Sequence, residues 1–461
     1  MAYDYDILVI GGGPAGYAAA IRASQLGKRS ICIERDKLGG ICLNWGCIPT
    51  KALLTNAHLA ELIAHHGDAF GFTGQASWDF SKMIARSRNV AGTLNKGIEG
   101  LFRKYKVASK FGVAKVVGPH QVQVGSEKIT AEHVIIATGV RPRPLPGAEF
   151  DGKKIISYKE AMSLEKQPKS MLIIGGGAIG MEFGYFYNAI GTKVTLVEMM
   201  DRVLPIEDEE VSKTLERSLA KRGITFLTGS KTGAVVKTDA GVSAEIETPG
   251  GKIKVDAEVM LVSIGVMGNV ENLFDPSVGV VIEKNHIKAD RAKGYVTSVP
   301  WIYAVGDVNG PPWLAHVAHH EAVTCVERLC GKSHRTVDYS IIPGCTYTDP
   351  GVASVGLTEK QAREAGHEIR VGKFPFIASG RAQAADETEG FVKLIFDKKY
   401  GELLGAHLIG SQATELIAEL VMAKKLEATE EEIVHAMHPH PTFSEAIMEA
   451  AGQALGESVH I

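Results

Sequence analysis

The sequence predicts an α/β fold: two Rossmann-like dinucleotide-binding βαβ units in tandem, then a C-terminal α+β domain. Three observations predict it. A strand–glycine turn–helix pattern occurs twice. Each copy ends on an acidic residue at the same distance from its first glycine. The last quarter of the chain alternates strand-like runs with a helical stretch. With 461 residues, a chain at about 150 residues per domain holds roughly three domains, with four possible. Apolar residues make up 45% and charged residues 22%, the mix of a soluble globular protein. Fifty basic against 53 acidic side chains leave a net charge of -3. That balance argues against a nucleic-acid partner, whose phosphates call for an excess of Lys and Arg.

The first copy begins at the N-terminus. An acidic start, Asp4-Tyr5-Asp6, runs into Ile7-Leu8-Val9-Ile10. This apolar run is too short for a signal-peptide core and has no basic flank. Elsewhere no segment reaches the roughly 18 apolar residues of a membrane span. The expectation is a cytoplasmic chain, without membrane partner, that opens on a buried strand. Gly11-Gly12-Gly13-Pro14-Ala15-Gly16 follows, then a helical stretch, then the strand Ser30-Ile31-Cys32-Ile33 ending in Glu34. The second copy reads Met171-Leu172-Ile173-Ile174, Gly175-Gly176-Gly177-Ala178-Ile179-Gly180, a helical stretch, and Val194-Thr195-Leu196-Val197 ending in Glu198. Glu34 and Glu198 each stand 23 positions beyond the first glycine of their copy.

That order fits a dinucleotide. Gly11 and Gly175 make the tight turn, Gly13 and Gly177 let backbone approach a pyrophosphate, and Gly16 and Gly180 let helix and strand pack closely. The helix N-terminus then offers N–H groups and a positive dipole to the anion. Glu34 and Glu198 can accept from ribose hydroxyls. No basic residue follows Glu198 until Arg202, so the second site reads as NAD rather than NADP.

Between and beyond the copies, residues 112–139 alternate apolar and polar positions as a β-meander, ending in Ala137-Thr138-Gly139. The Pro-rich stretch Arg141-Pro142-Arg143-Pro144-Leu145-Pro146 reads as a hinge. The apolar run Trp301-Ile302-Tyr303-Ala304-Val305 ends in Gly306-Asp307, which can place Asp307 at a strand end within reach of a sugar or ribityl hydroxyl. Strand-like runs at 345–356 and 391–396 and a helix near 411–425 make up the last domain.

Six cysteines are too few for a disulfide scaffold. Cys42 and Cys47 lie in Gly39-Gly40-Ile41-Cys42-Leu43-Asn44-Trp45-Gly46-Cys47-Ile48-Pro49-Thr50-Lys51. In a regular helix residues five apart have Cα atoms about 8.6 Å apart, whereas a disulfide requires less than about 7 Å. Bridging therefore needs a distorted segment, which Gly46 and Pro49 permit, and a strained bridge suits exchange chemistry. An unpaired structural role is the alternative. Zinc is disfavoured because no second ligand pair has metal spacing nearby. Cys325 and Cys330 share the spacing without Gly or Pro between them, so no bridge is expected there. Cys32 and Cys345 read as packing residues.

The cysteine segment resembles the redox-disulfide segment of the flavoprotein disulfide reductases, in the class I pyridine nucleotide-disulfide oxidoreductase family. The similarity extends through 137–139, 175–184, 297–307 and 347–359 to the segment near 438–445. It implies FAD in the first unit and NAD in the second. It divides the chain into an FAD-binding domain (1–149), an NAD-binding domain (150–278), a central domain completing the FAD site (279–345) and a dimerisation domain (346–461). Cys47 would face the flavin while Cys42 exchanges with substrate. Lys51 and Glu182 match an ion pair beside the flavin. Gly112, Thr138, Gly139, Asp307 and the backbone of Leu314-Ala315-His316 would also contact cofactor. Gly265 is carried to the nucleotide sites as well, although Val266-Met267-Gly268-Asn269 lacks the Arg and Pro usual after that glycine. Trp45 is bulkier than the usual residue between the cysteines.

Thiol exchange needs a thiolate, and imidazole can take and return a proton near neutral pH. In His438-Pro439-His440-Pro441-Thr442-Phe443-Ser444-Glu445 the resemblance makes His440 the base and Glu445 its orienting carboxylate, both given to the other subunit of a homodimer, with a cis peptide before Pro441. His438 reads as a polar helper. His316 and His320 are one helical turn apart, but Val317 stands where a zincin needs Glu, so no metal is expected. His65-His66 read as solvent-facing. The implied activity is oxidation of dihydrolipoyl groups, on carrier domains of 2-oxo acid dehydrogenase or glycine cleavage complexes, with reduction of NAD. The alternatives are a reductase of another small disulfide and a redox-inert nucleotide-binding scaffold.

Overall fold

The computed structural model describes residues 3–461. The chain forms two compact units, each drawn from separated stretches. One comprises the chain up to Leu53, Ser81–Arg143 and Gly265–Val337, and the other Leu54–Phe80, Pro144–Ile264 and Asp338–Ile461.

In the first unit, β1 (Tyr5–Ile10), β2 (Ser30–Glu34), β3 (Ala108–Phe111), β6 (Glu127–Ile136) and the strand Ile302–Ala304 run parallel. Their order is β3-β2-β1-β6, with Ile302–Ala304 on the far side of β6. The expected meander is present as β4 (Ala114–Gly118) and β5 (Gln121–Val124), which pair antiparallel with each other and with β6. Helix α1 (Pro14–Gln25) starts with Pro14, whose fixed φ suits the first turn and whose missing N–H has no helical partner to lose. It buries Ala15, Ala18, Ala19, Ala20 and Ala23, small side chains that allow close packing against Ala318, Ala322 and Val326 of the helix Ala315–Leu329.

Three further helices surround the cysteine segment: α2 (Gly40–Trp45), α3 (Cys47–Glu61) and the 26-residue α4 (Phe80–Tyr105). The Pro-rich stretch read as a hinge begins as a strand. β7 (Val140–Pro142) pairs antiparallel with Val266–Gly268. Proline is accommodated at the strand end, where no ladder donor is required of it.

In the second unit five parallel strands lie in the order Thr225–Leu227, Lys193–Val197, Ser170–Ile174, Val259–Val262 and Ile155–Ile156. Lys231–Thr238, Gly241–Thr248 and Gly251–Ala257 form an antiparallel sheet. The C-terminal sheet is antiparallel, with strand order Gly344–Thr346, Gly351–Gly356, Leu403–Gly410, Phe391–Asp397 and Ile369–Pro375. The run expected at 345–356 is thus two strands, parted by a turn containing the cis Asp349–Pro350 peptide. The helix expected near 411–425 is Ala413–Lys425.

Two ionic hubs sit within this unit. Lys393 Nζ, with its side chain almost buried, contacts Asp208 Oδ1 at 3.1 Å, Glu210 Oε2 at 3.2 Å and Glu359 Oε2 at 2.8 Å. Arg222 contacts Glu61 at 2.7 Å, with Asp349 and Glu389 at 3.3 Å each. Among the described residues no helix is long and apolar enough to cross a membrane.

Candidate functional site

The first cradle lies beyond the carboxyl ends of the parallel strands, where ligands of open α/β sheets bind. Gly11 takes φ +105 beside the Ala137 carbonyl, and a Cβ on Gly16 would lie 1.7 Å from the Gly11 oxygen. No other residue fits that crossing of helix over strand. Gly13 caps α1 with no side-chain hydrogen bond, so the first-turn amides face outward unmasked. Gly12 N donates to Glu34 Oε2 at 2.6 Å, and Asp36 N to Glu34 Oε1 at 2.8 Å. These bonds fix the acid at the cradle's edge. Gly112 N donates to the Glu34 carbonyl at 2.8 Å.

Asp307 follows the strand Ile302–Ala304 on a short 3-10 turn, Gly306–Asn309, rather than at the strand end itself. Burial, then the neighbouring Glu321, pushes its carboxyl up to about 7. Glu321 Oε2 in turn accepts from Gly306 N at 2.7 Å and Asn309 Nδ2 at 2.9 Å. Leu314 caps the next helix without a side-chain bond, leaving Ala315 and His316 in its first turn.

The second cradle repeats the first. Gly175 takes φ +106 against the Ser263 carbonyl, and a Cβ on Gly180 would lie 1.9 Å from the Gly175 oxygen. Gly176 N donates to Glu198 Oε2 at 2.6 Å, and Met200 N to Glu198 Oε1 at 2.8 Å. A Cβ on Gly177 would meet nothing within 4 Å, the open space a bound group would fill. Glu182, buried on the helix Ala178–Ala189, accepts from Tyr347 N at 3.0 Å.

The cysteine segment is distorted where the spacing requires it. α2 ends at Trp45, Gly46 adopts φ -149 and ψ -117, and α3 restarts at Cys47. The structure holds Cys42 and Cys47 as two thiols, both half-buried. A hydrogen bond with Cys47, then burial, raises the Cys42 thiol, while the Lys51 ammonium opposes the rise. Tyr17 of α1 stands beside the pair, its phenol raised by burial and then by both cysteines. Cys325 and Cys330 are also thiols, Cys330 being the C-cap of its helix. Cys32 is a core residue and Cys345 is half-buried.

In the C-terminal segment His440 Nδ1 bonds Glu445 Oε1 at 2.8 Å, and Thr442 N donates to Glu445 Oε2 at 2.8 Å. A carboxylate only accepts, so Nδ1 carries the proton and Nε2 is left to act as a base. Burial pushes Glu445 up, but the Thr442 amide and His440 outweigh it and hold the carboxyl below its usual range. His440 is 80% exposed. The His440–Pro441 peptide is cis. His438 instead bonds Glu419 Oε1 at 2.8 Å. His65 and His66 are exposed as read, with His66 paired to Asp386 at 2.7 Å. Among the described residues no group of three or more His, Cys, Asp or Glu could hold a metal ion.

Residues 5–322 match the family model described as pyridine nucleotide-disulphide oxidoreductase, and 342–451 match the dimerisation domain of the same family. The chain belongs to this family. Among its curated relatives, the dihydrolipoyl dehydrogenase of Rhizobium etli is 46% identical and that of Zymomonas mobilis 45%. The alignments cover 99% of both chains in the first case and 100% in the second. The crystal structure of LpdA from Mycobacterium tuberculosis superposes with a TM-score of 0.89 at 27% identity, covering 97% of this chain and 99% of that one.

Both glycine cradles fit the dinucleotides of a pyridine nucleotide-disulphide oxidoreductase. Each has uncapped helix amides, an acid held at the cradle's edge and glycines that backbone would otherwise strike. Contacts unread in the sequence hold the stretch after Gly265. Asn269 Nδ2 donates to the carbonyls of Thr138 at 2.9 Å and Val140 at 3.0 Å, and Thr138 Oγ1 donates to the Asn269 carbonyl at 2.8 Å. Arg141 donates to the Gly268 carbonyl at 2.8 Å and pairs with Glu271. Asn269 and Arg141 thus tie the stretch after Gly265 to the Thr138-Gly139 turn, without the usual Arg and Pro.

Proposed function

We propose that the protein is a homodimeric, FAD-containing enzyme that oxidises dihydrolipoyl groups and reduces NAD. The interrupted α2–α3 junction, which brings the Cys42 and Cys47 sulfurs into hydrogen-bond contact, carries this reading. Near-full-length similarity to dihydrolipoyl dehydrogenases and the second, NAD-type cradle support the substrate and acceptor.

The residues divide the work as follows. His440 Nε2, on an imidazole oriented by Glu445, takes the proton of a substrate thiol. That thiolate attacks Cys42 of the oxidised pair. The Cys42–Cys47 bond breaks, a substrate–Cys42 disulfide forms, and the electron pair leaves on Cys47. The second substrate thiol then attacks the substrate sulfur, closing the substrate disulfide and expelling Cys42, which takes up that thiol's proton. Two electrons have passed from substrate to the cysteine pair. Gly11, Gly13, Gly16, Glu34 and Asp307 would hold FAD, which would supply a two-electron relay from the pair to NAD. Glu198 receives the NAD ribose and disfavours a 2'-phosphate. Lys51, whose charge opposes the rise of the Cys42 thiol, favours thiolate in the pair.

In the dimer each subunit's His440–Glu445 pair serves the cysteines of the other, which accords with the imidazole's exposure. The substrates in the cell are lipoyl-bearing carrier domains, and the compartment is the cytoplasm. Mixing FAD-loaded protein with dihydrolipoamide and NAD tests the reading. NADH formation is expected, and its absence with FAD bound rejects the proposal.

A further inference from the structure

Trp45 lies between the two cysteines, and two cations lie over its ring. The Arg88 guanidinium carbon is 5.1 Å from the ring centroid and Lys37 Nζ is 5.5 Å away. Arg88 also reaches the backbone of the same segment, its Nη1 donating to the Asn44 carbonyl at 2.6 Å. That carbonyl belongs to the last turn of α2, where helical acceptors lose their partners and a cation is favoured.

Arg88 acts with its neighbours on α4. Asn95 Nδ2 donates to Asn44 Oδ1 at 2.6 Å, and the buried Asn44 side chain itself donates to the carbonyls of Leu38 at 3.0 Å and Gly40 at 2.9 Å. Ser87 Oγ donates to the Pro49 carbonyl and Arg86 Nη1 to that of Ala52, both at 2.9 Å. Side chains of α4 therefore grip acceptors on both sides of Cys47.

This grip answers a physical problem. Residues five apart on a continuous helix are about 8.6 Å apart at Cα, beyond the roughly 7 Å a disulfide allows. Once the bridge opens, nothing in the bond itself stops residues 40–61 from relaxing towards one helix. In the structure the helix is interrupted at Gly46, and α4 holds the chain on both sides of that break.

We propose that Arg88, seated on Trp45 and the Asn44 carbonyl, is a positioning residue that holds the dithiol in its closing geometry. It acts through α2, keeping the effective concentration of one cysteine at the other high. The inference rests on the exchange function assigned to Cys42 and Cys47.

The test is the closure equilibrium of the Cys42–Cys47 pair in the FAD-loaded protein. The protein is equilibrated with oxidised and reduced glutathione, quenched by alkylation and weighed by mass spectrometry. R88A should lower the closure constant about tenfold, equivalent to about 30 mV for two electrons. R88K, which keeps the charge without the planar fork, should fall between R88A and the parent. W45A should match R88A, whereas W45F, which keeps a ring under the guanidinium, should stay closer to the parent. Retention of FAD, read from the flavin spectrum, shows that the fold survives. A parent-like closure constant in R88A overturns the inference. If R88A does not fold, a parent-like constant in W45A overturns it instead. Failure of the parent protein to make NADH from dihydrolipoamide would remove the catalytic reading, while the closure constants would still decide what Arg88 does.

Discussion

The second glycine cradle allows two substitutions of equal size to be set against each other. In G180A the added methyl would begin 1.9 Å from the Gly175 oxygen and 2.9 Å from Ser263 Oγ. The nearer obstacle is backbone of the turn itself, so helix and strand must part by more than 1 Å. Overpacking of this kind costs about 1–3 kcal/mol, and a rigid backbone obstacle places G180A at the upper end. In G177A the methyl meets nothing within 4 Å, and the residue's φ of -75 suits any side chain. Its folding cost is limited to the poorer N-cap, at most about 1 kcal/mol. The methyl would nevertheless stand where backbone should approach a pyrophosphate. Losing one hydrogen bond to a charged group removes about 1.5–3 kcal/mol of binding, or at least tenfold in affinity. Thermal unfolding of the FAD-loaded variants and NAD titration measure the two effects separately. G180A should lose stability, whereas G177A should fold normally and bind NAD poorly. Normal NAD affinity in G177A would refute the cradle's assignment, and parent-like stability in G180A would refute the packing argument.

Other perturbations probe the remaining parts. E445Q leaves His440 without its carboxylate partner. Loss of that charge-assisted bond, about 1.5–3 kcal/mol, should lower kcat for dihydrolipoamide about tenfold to a hundredfold with FAD content unchanged. Unaltered kcat would contradict the orienting role. R222M strands Glu61, whose side chain is only 7% exposed. Breaking a buried pair costs about 3–5 kcal/mol, and partial exposure of Arg222 favours the lower figure. Denaturant unfolding should show the loss and E61Q in the same chain should recover part of it; a loss no larger in R222M than in E61Q alone would exclude the pairing. His438 is raised by its bond to Glu419. Its contribution to stability is therefore complete below the ordinary histidine value of about 6.5 and is lost as pH rises through the raised folded value. In E419Q the His438 imidazole, followed by NMR, should titrate at lower pH, and an unmoved midpoint would rule out Glu419 as the cause.

What could be read from the sequence was local. The glycine cradles were legible because a positive φ or a close crossing leaves only glycine, and the paired acids lie within one βαβ unit. The cysteine distortion was legible because Gly46 sits inside the pair. Asn269 and Thr138 are far apart in sequence, so the bonds that join them left no local pattern. Arg88 and Asn95 look like ordinary polar residues of a long basic helix. Periodicity tells which face is buried, not which carbonyl that face meets. Lys393 stands within an expected apolar strand, but its carboxylates come from residues 208, 210 and 359. Asp307 was placed at a strand end and instead follows on a 3-10 turn, because Gly306 turns the chain at φ +73 straight after Val305, whose amide still bonds the Ile136 carbonyl.

Anaerobic reductive titration of the FAD-loaded protein tests the central claim most directly, since it counts electrons and reports where they reside. The parent protein should take up twice the electrons a flavin alone accepts and develop a long-wavelength thiolate-to-flavin band midway. C47S should lose both that band and the extra electron capacity. A parent protein that accepts only the flavin's own electrons, with no such band, would contradict the account.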